Sequence, residues 1–150
     1  MARYRKRIIY RTKRKYNVEN RPVYVQFPST QENGFYQAQT VIVPPSTIEG
    51  VRQVARLTVT VTVNASLFWA LVYIPEGVTT TSLFPNTDTL FEPSNYVLNS
   101  GLVDADAGPT RISTRLRKNL NAGDRIYLLT ASRSNNNAFQ GLVRYAICYN

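Results

Sequence analysis

From residue 56 to residue 63 the chain alternates strictly between polar and apolar positions. Arg56, Thr58, Thr60 and Thr62 fall on one parity, and Leu57, Val59, Val61 and Val63 on the other. A period of two, carried by β-branched residues, predicts a strand of an antiparallel sheet with one face in a core and the other in water. This strand spans about 52–63. Seven further runs read as strands, at about 22–27, 35–43, 67–74, 94–103, 110–117, 125–132 and 140–149. Turn-forming clusters lie between them: Pro44-Pro45, Pro75-Glu76-Gly77, Glu92-Pro93-Ser94, Gly108-Pro109, Asn121-Ala122-Gly123-Asp124 and Asn135-Asn136-Asn137. No long run has helical spacing, and no internal repeat is found. Eight strands with unequal loops predict an all-β fold of two packed antiparallel sheets, a sandwich or jelly roll rather than an up-and-down barrel. The Thr-rich segment 77–93 is predicted to be a surface loop.

Charge divides the chain where hydropathy does not. Its 150 residues suit one domain, and 18 Lys plus Arg against 9 Asp plus Glu leave a net charge of +9. Eight of those cations, Arg3, Arg5, Lys6, Arg7, Arg11, Lys13, Arg14 and Lys15, crowd into residues 1–16, which hold no acid. The remaining ten nearly balance the nine acids. The sequence therefore predicts a basic arm at 1–16, disordered or extended in isolation, and a nearly neutral body at 17–150. A polyanion is the natural partner of such an arm. Tyr4, Tyr10 and Tyr16, interleaved with the cations, can stack on unpaired bases without regard to their identity. The same run also reads as a nuclear localisation signal, which makes a nuclear import receptor a second expected partner.

Composition also excludes chemistry. With no histidine, the chain lacks the usual general base, every Ser-His-Asp or Cys-His arrangement and any imidazole zinc site. The single cysteine, Cys148, permits neither an intrachain disulfide nor a thiolate cluster and is expected to be a small buried hydrophobe. Asp104 and Asp106 beside Gly108 would offer two oxygen ligands to a hard cation, too few for a site, and read better as an acidic turn. No enzyme, metal or cofactor is expected. The longest apolar run, 67–74, is far shorter than the roughly 20 residues of a membrane span, and no export signal is evident, so a soluble protein without a membrane partner is predicted. Within that run Phe68, Trp69, Leu71 and Tyr73 make both faces of the strand apolar. Core packing is the expected reason, with a ligand cavity or a subunit contact as alternatives.

Three segments together carry a family resemblance. These are GPTRISTRLRKNLNAGDRIYLL at 108–129, LFWALVYIPEG at 67–77 and the Arg/Tyr-rich start. The chain resembles the single jelly-roll capsid proteins of small circular Rep-encoding single-stranded DNA (circovirus-like) viruses, and more distantly the coat proteins of satellite plant viruses. The resemblance implies an eight-stranded antiparallel jelly roll that self-assembles, in about sixty copies, into a closed T=1 icosahedral shell around single-stranded DNA. It also implies location in the virion and, during infection, in the host nucleus. About sixty arms would bring on the order of 480 positive charges to the enclosed phosphates.

In that family the first, eighth, third and sixth strands share one sheet. Parity along the matching runs then assigns Arg52 and Arg56, Arg111, Arg115 and Arg117, and Arg144 to a single exposed face, opposite Leu57, Ile112, Leu116 and Val143. This face is expected to line the shell and to hold phosphates together with the arm. The alternative reading is a non-viral basic β-sandwich or barrel that binds RNA in a ribonucleoprotein. A lectin- or cytokine-like jelly roll is disfavoured because secretion signals and disulfides are missing.

Overall fold

The computed structural model describes residues 15–80, 82–85, 96–135 and 138–149. Nine strands are found among them: β1 (Asn17–Val25), β2 (Tyr36–Val43), β3 (Arg52–Val61), β4 (Leu67–Ile74), β5 (Val97–Val103), β6 (Thr110–Ser113), β7 (Lys118–Leu120), β8 (Arg125–Ser132) and β9 (Phe139–Tyr149). They form two antiparallel sheets, one ordered β1-β9-β3-β6 with β7 also on β3, the other ordered β2-β8-β4-β5. The result is a jelly-roll-like β-sandwich. Among the described residues no helix is long and apolar enough to cross a membrane.

The strand predicted over 110–117 stops at Ser113, and a separate short strand follows at 118–120, beyond the predicted run; the cause lies in the neighbouring strand. Against β9, β3 pairs Ala55 with Ala146 and then Thr58 with Arg144, so that two residues, Arg56 and Leu57, stand opposite Tyr145 alone. This is a β-bulge, and Arg56 takes the left-handed backbone it requires (φ 55°). On the other side of β3, β7 pairs with Arg52–Val54 and β6 with Thr58–Val61, the break between them facing the bulge. The Thr114 amide bridges the gap by donating to the Leu57 carbonyl (3.1 Å).

The core between the sheets follows from alternation. Val59, Val61, Ile112, Val143 and Tyr145 from one sheet meet Leu67, Leu71, Ile126 and Leu128 from the other. A second apolar cluster lies on the outer face of the other sheet, where Ala70, Val72, Ile74, Leu129 and Ala131 are covered by Val78, Leu83, Phe84 and Tyr96. The described part of the predicted surface loop 77–93 is thus a cover: Leu83 is 1% exposed, and the Phe84 ring stacks on Phe35 (4.7 Å between centroids) and meets Phe68 edge-on (5.4 Å). Residues 81 and 86–93 of that loop lie outside the described residues. Hydrogen bonds hold the cover down, from Asn33 Nδ2 to the Phe84 and Pro85 carbonyls, between Gln37 and both backbone groups of Phe84, and from Ser82 to Glu32. Both faces of β4 are therefore packed against this chain itself. Cys148 is buried, as its setting in the last apolar strand predicts.

One end of the sandwich is tied by Asp124, which is 3% exposed. Its carboxylate accepts from the amides of Glu76 (3.0 Å) and Asn121 (2.8 Å) and from the Tyr73 hydroxyl (2.8 Å). Burial of the Tyr73 phenol, then its bond to this carboxylate, push its pKa up to about 12. Gly123 takes φ 82°, and a Cβ there would meet the Glu76 side chain at 2.6 Å, so any other residue would strain the turn and displace Glu76.

If the 82–85 segment is structural, Leu83→Ala should lower unfolding free energy by about 3 kcal/mol, whereas Leu116→Ala, at a residue 55% exposed, should change it by less than about 0.5 kcal/mol. Urea unfolding of the two variants checks this.

Candidate nucleic-acid interface

On the outer face of the β1-β9-β3-β6 sheet, cross-strand register decides which side chains meet. One row runs Pro22, Leu142, Thr60, Arg111, and the next runs Asn20, Arg144, Thr58, Ser113. Arg111 and Arg144 therefore stand two residues apart along the strands, across β3 from each other. Arg56 joins them because the bulge turns it outward at the end of the threonine stripe. The three guanidiniums, with Thr58 and Thr60, line a cleft of about 460 Å³ whose apolar wall includes Val18 and Leu142. Among the described residues no carboxylate lines it.

A smaller hollow of about 280 Å³ adjoins it, lined by Tyr16, Val18, Ala55, Arg56, Arg117 and Ala146. Tyr16 is held on this face by its hydroxyl, which donates to Gln53 Oε1 (2.5 Å), while Gln53 Nε2 donates to Asn119 (3.0 Å). Arg117 reaches the hollow because Lys118 pairs with Val54 and Asn119 with Gln53, leaving Arg117 beside Ala55 on the outward parity.

Four of the six arginines assigned to this face thus line its two hollows, and Arg52 and Arg115 do not. Arg52 is 5% exposed and points the other way. The bulge separates it from Arg56, and each extra bulge residue reverses the parity that a regular strand would keep. Its guanidinium instead donates to the carbonyls of Pro44 (3.1 Å) and Asp124 (3.1 Å), a structural role. Arg115 is exposed in the 114–117 link and lines neither hollow, and Leu116, expected inside, is exposed too. Of the arm residues, Lys15 is exposed and Tyr16 is on the face, whereas Arg3, Tyr4, Arg5, Lys6, Arg7, Tyr10, Arg11, Lys13 and Arg14 lie outside the described residues.

Leu142 and Val18 are not among the residues that the sequence pattern assigns to this face. Leu142 shares the parity of Arg144, a signal that was present. Val18 precedes the predicted start of the first strand, in a stretch too polar to show alternation. Asp104 and Asp106 are exposed on the β5–β6 connection, where Asp106 (φ 56°) and Gly108 (φ 73°) take left-handed conformations that turn the chain. Among the described residues no three potential ligands cluster.

Beneath the cleft, Tyr145 is 2% exposed and its hydroxyl donates to Glu19 Oε2 (2.8 Å). Burial first, and then the carboxylate, push this phenol up to about 12. No protein-family model matches the chain, and no curated protein matches it.

Two predictions follow from these geometries. Between pH 10 and 12 an unfolded chain ionises Tyr73 and Tyr145 while the folded one keeps both protons, so the stability from their bonds is whole below pH 10 and is lost as pH rises to 12. Melting curves of wild type and Tyr145→Phe over this range should converge as pH rises. Arg56 holds a left-handed backbone that costs a non-glycine residue about 1 kcal/mol; Arg56→Gly should therefore fold with equal or greater stability while removing one cation from the cleft, as chemical denaturation alongside salt-dependent polyanion binding would report.

Proposed function

We propose that this chain is the shell-forming subunit of a capsid, and that its basic arm and the arginine-bearing face of the β1-β9-β3-β6 sheet neutralise enclosed single-stranded nucleic acid. The observation that carries the reading is the convergence of Arg56, Arg111 and Arg144 on a cleft that no carboxylate of the described residues lines, on the same face where Tyr16 leads back to the arm. All three arginines are exposed, and guanidiniums gathered on one surface favour an anionic partner, with phosphates accepting their forked donors well. The arm and this face carry the same sign of charge. They repel each other unless an anion lies between them, which favours a polyanion shared by both.

The strand order supports the same proposal. Counting β6 and β7 as one strand interrupted opposite the bulge makes eight strands, ordered 1-8-3-6 and 2-7-4-5. That is the order of the capsid jelly roll the sequence resembles. The outer face of the second sheet is partly covered by the chain's own residues, whereas the arginine face is left open to a partner. Packaging in the nucleus would make the arm both an import signal and a genome contact.

Negative-stain microscopy of the purified full chain, with absorbance at 260 and 280 nm read on the same sample, tests the reading. Uniform closed particles containing nucleic acid are expected, with the nucleic-acid content falling sharply when residues 1–16 are deleted. Particles of the Arg56→Gln/Arg111→Gln/Arg144→Gln variant should release nucleic acid at lower salt, because fewer phosphate contacts flatten the salt dependence by about 0.7 in logarithmic slope per contact on a single strand. Monomers or small complexes under all salt and pH conditions, with salt-sensitive RNA binding retained, would instead install the ribonucleoprotein reading.

A further inference from the structure

The cleft and the smaller hollow are not independent: both are lined by Val18, Arg56 and Ala146. Their chemistry differs. The cleft offers guanidiniums and threonine hydroxyls, a set suited to phosphate oxygens. The hollow offers an aromatic ring, a floor of Val18, Ala55 and Ala146, and two guanidinium planes from Arg56 and Arg117. Phosphate gains nothing from an apolar floor. A flat heteroaromatic ring does, since it can stack on tyrosine or guanidinium and still present polar edges.

Resting on the nucleic-acid reading of this face, we propose that the paired hollows hold one nucleotide unit of a single strand, its base against Tyr16 and Arg117 and its phosphate among Arg56, Arg111 and Arg144. Arg56 stands between the two parts, and the bulge at its backbone is what places it there. The Tyr16 ring is oriented before any ligand arrives, because Gln53 holds its hydroxyl and Asn119 holds Gln53. Such preorganisation spares the ordering cost of binding. A base already stacked in a duplex is not available to the hollow, so the face selects unpaired strands over duplexes and over polyanions that lack bases.

The test is equilibrium binding by the full chain of three probes of equal length: a thymidine oligonucleotide, an abasic oligonucleotide and a duplex. The thymidine strand should bind roughly ten-fold more tightly than the abasic one. Tyr16→Ala should erase that preference and leave abasic affinity in place, Tyr16→Phe should keep the stacking preference in reduced form because the hydroxyl that orients the ring is gone, and Arg144→Gln should weaken both single strands alike. Equal affinity of wild type for the two single strands, a loss on both from Tyr16→Ala, or a preference that survives Tyr16→Ala because it resides in Tyr4 and Tyr10, each overturns the base hollow. The phosphate reading beneath it fails separately, if Arg56→Gln together with Arg144→Gln leaves both affinities unchanged.

Discussion

A single bulge in β3 governs the surface chemistry of this protein. By placing Arg56 and Leu57 opposite Tyr145, it reverses the inward parity halfway along the central strand of one sheet. Arg52 is sent inward to cap the carbonyls of Pro44 and Asp124, and Arg56 is sent outward to meet Arg111 and Arg144. The same irregularity interrupts the strand on the other side, splitting it into β6 and β7 and exposing Arg115 and Leu116 in the gap. A left-handed arginine is an unfavourable backbone state that the surrounding pairing must hold, and such strain gathers where side chains have work to do.

The two outer faces of the sandwich have opposite fates. One sheet buries its outer apolar residues beneath Leu83, Phe84 and Tyr96, clamped by Asn33 and Gln37. The other leaves its outer face in water, with threonines and arginines set among Val18 and Leu142. Covering an apolar face removes it from the water it would otherwise meet; a face of guanidiniums needs no such cover and gains most from an anion. The asymmetry leaves the arginine-bearing face the more polar of the two, while Val41 and Leu102 stay exposed on the other.

Two carboxylates each gather polar groups of the fold, while the buried Nε atoms of Arg52 and Arg125 have no hydrogen-bond partner. Asp124 accepts three hydrogen bonds at the end of the sandwich, and Glu19 accepts one from Tyr145 under the cleft. Both phenols carry raised pKa values for the same reason, burial reinforced by a carboxylate acceptor. The cleft floor is therefore braced from within by an interaction that persists throughout the neutral range.

The sequence alone determined the all-β class, the two-sheet organisation, the positions of most strands and the division into basic arm and neutral body, because alternation, turn residues and charge runs are local properties. It also determined that Arg111 and Arg144 face outward, since Ile112 and Val143 beside them are unmistakably core. What it did not place was the bulge: Val54 falls on the polar parity of Arg56 and Gln53 on the apolar parity of Leu57, a break in the alternation, but the extra residue itself exists only in the register between β3 and β9. The fate of Arg52, the division of the sixth strand and the meeting of Tyr16 with Arg56 and Arg117 were consequently decided by tertiary structure. So was the burial of Leu83 and Phe84, whose polar neighbours mark a loop but cannot tell whether it folds onto a sheet. Periodicity reports which way a side chain points within one strand; only pairing between distant strands sets where that count restarts.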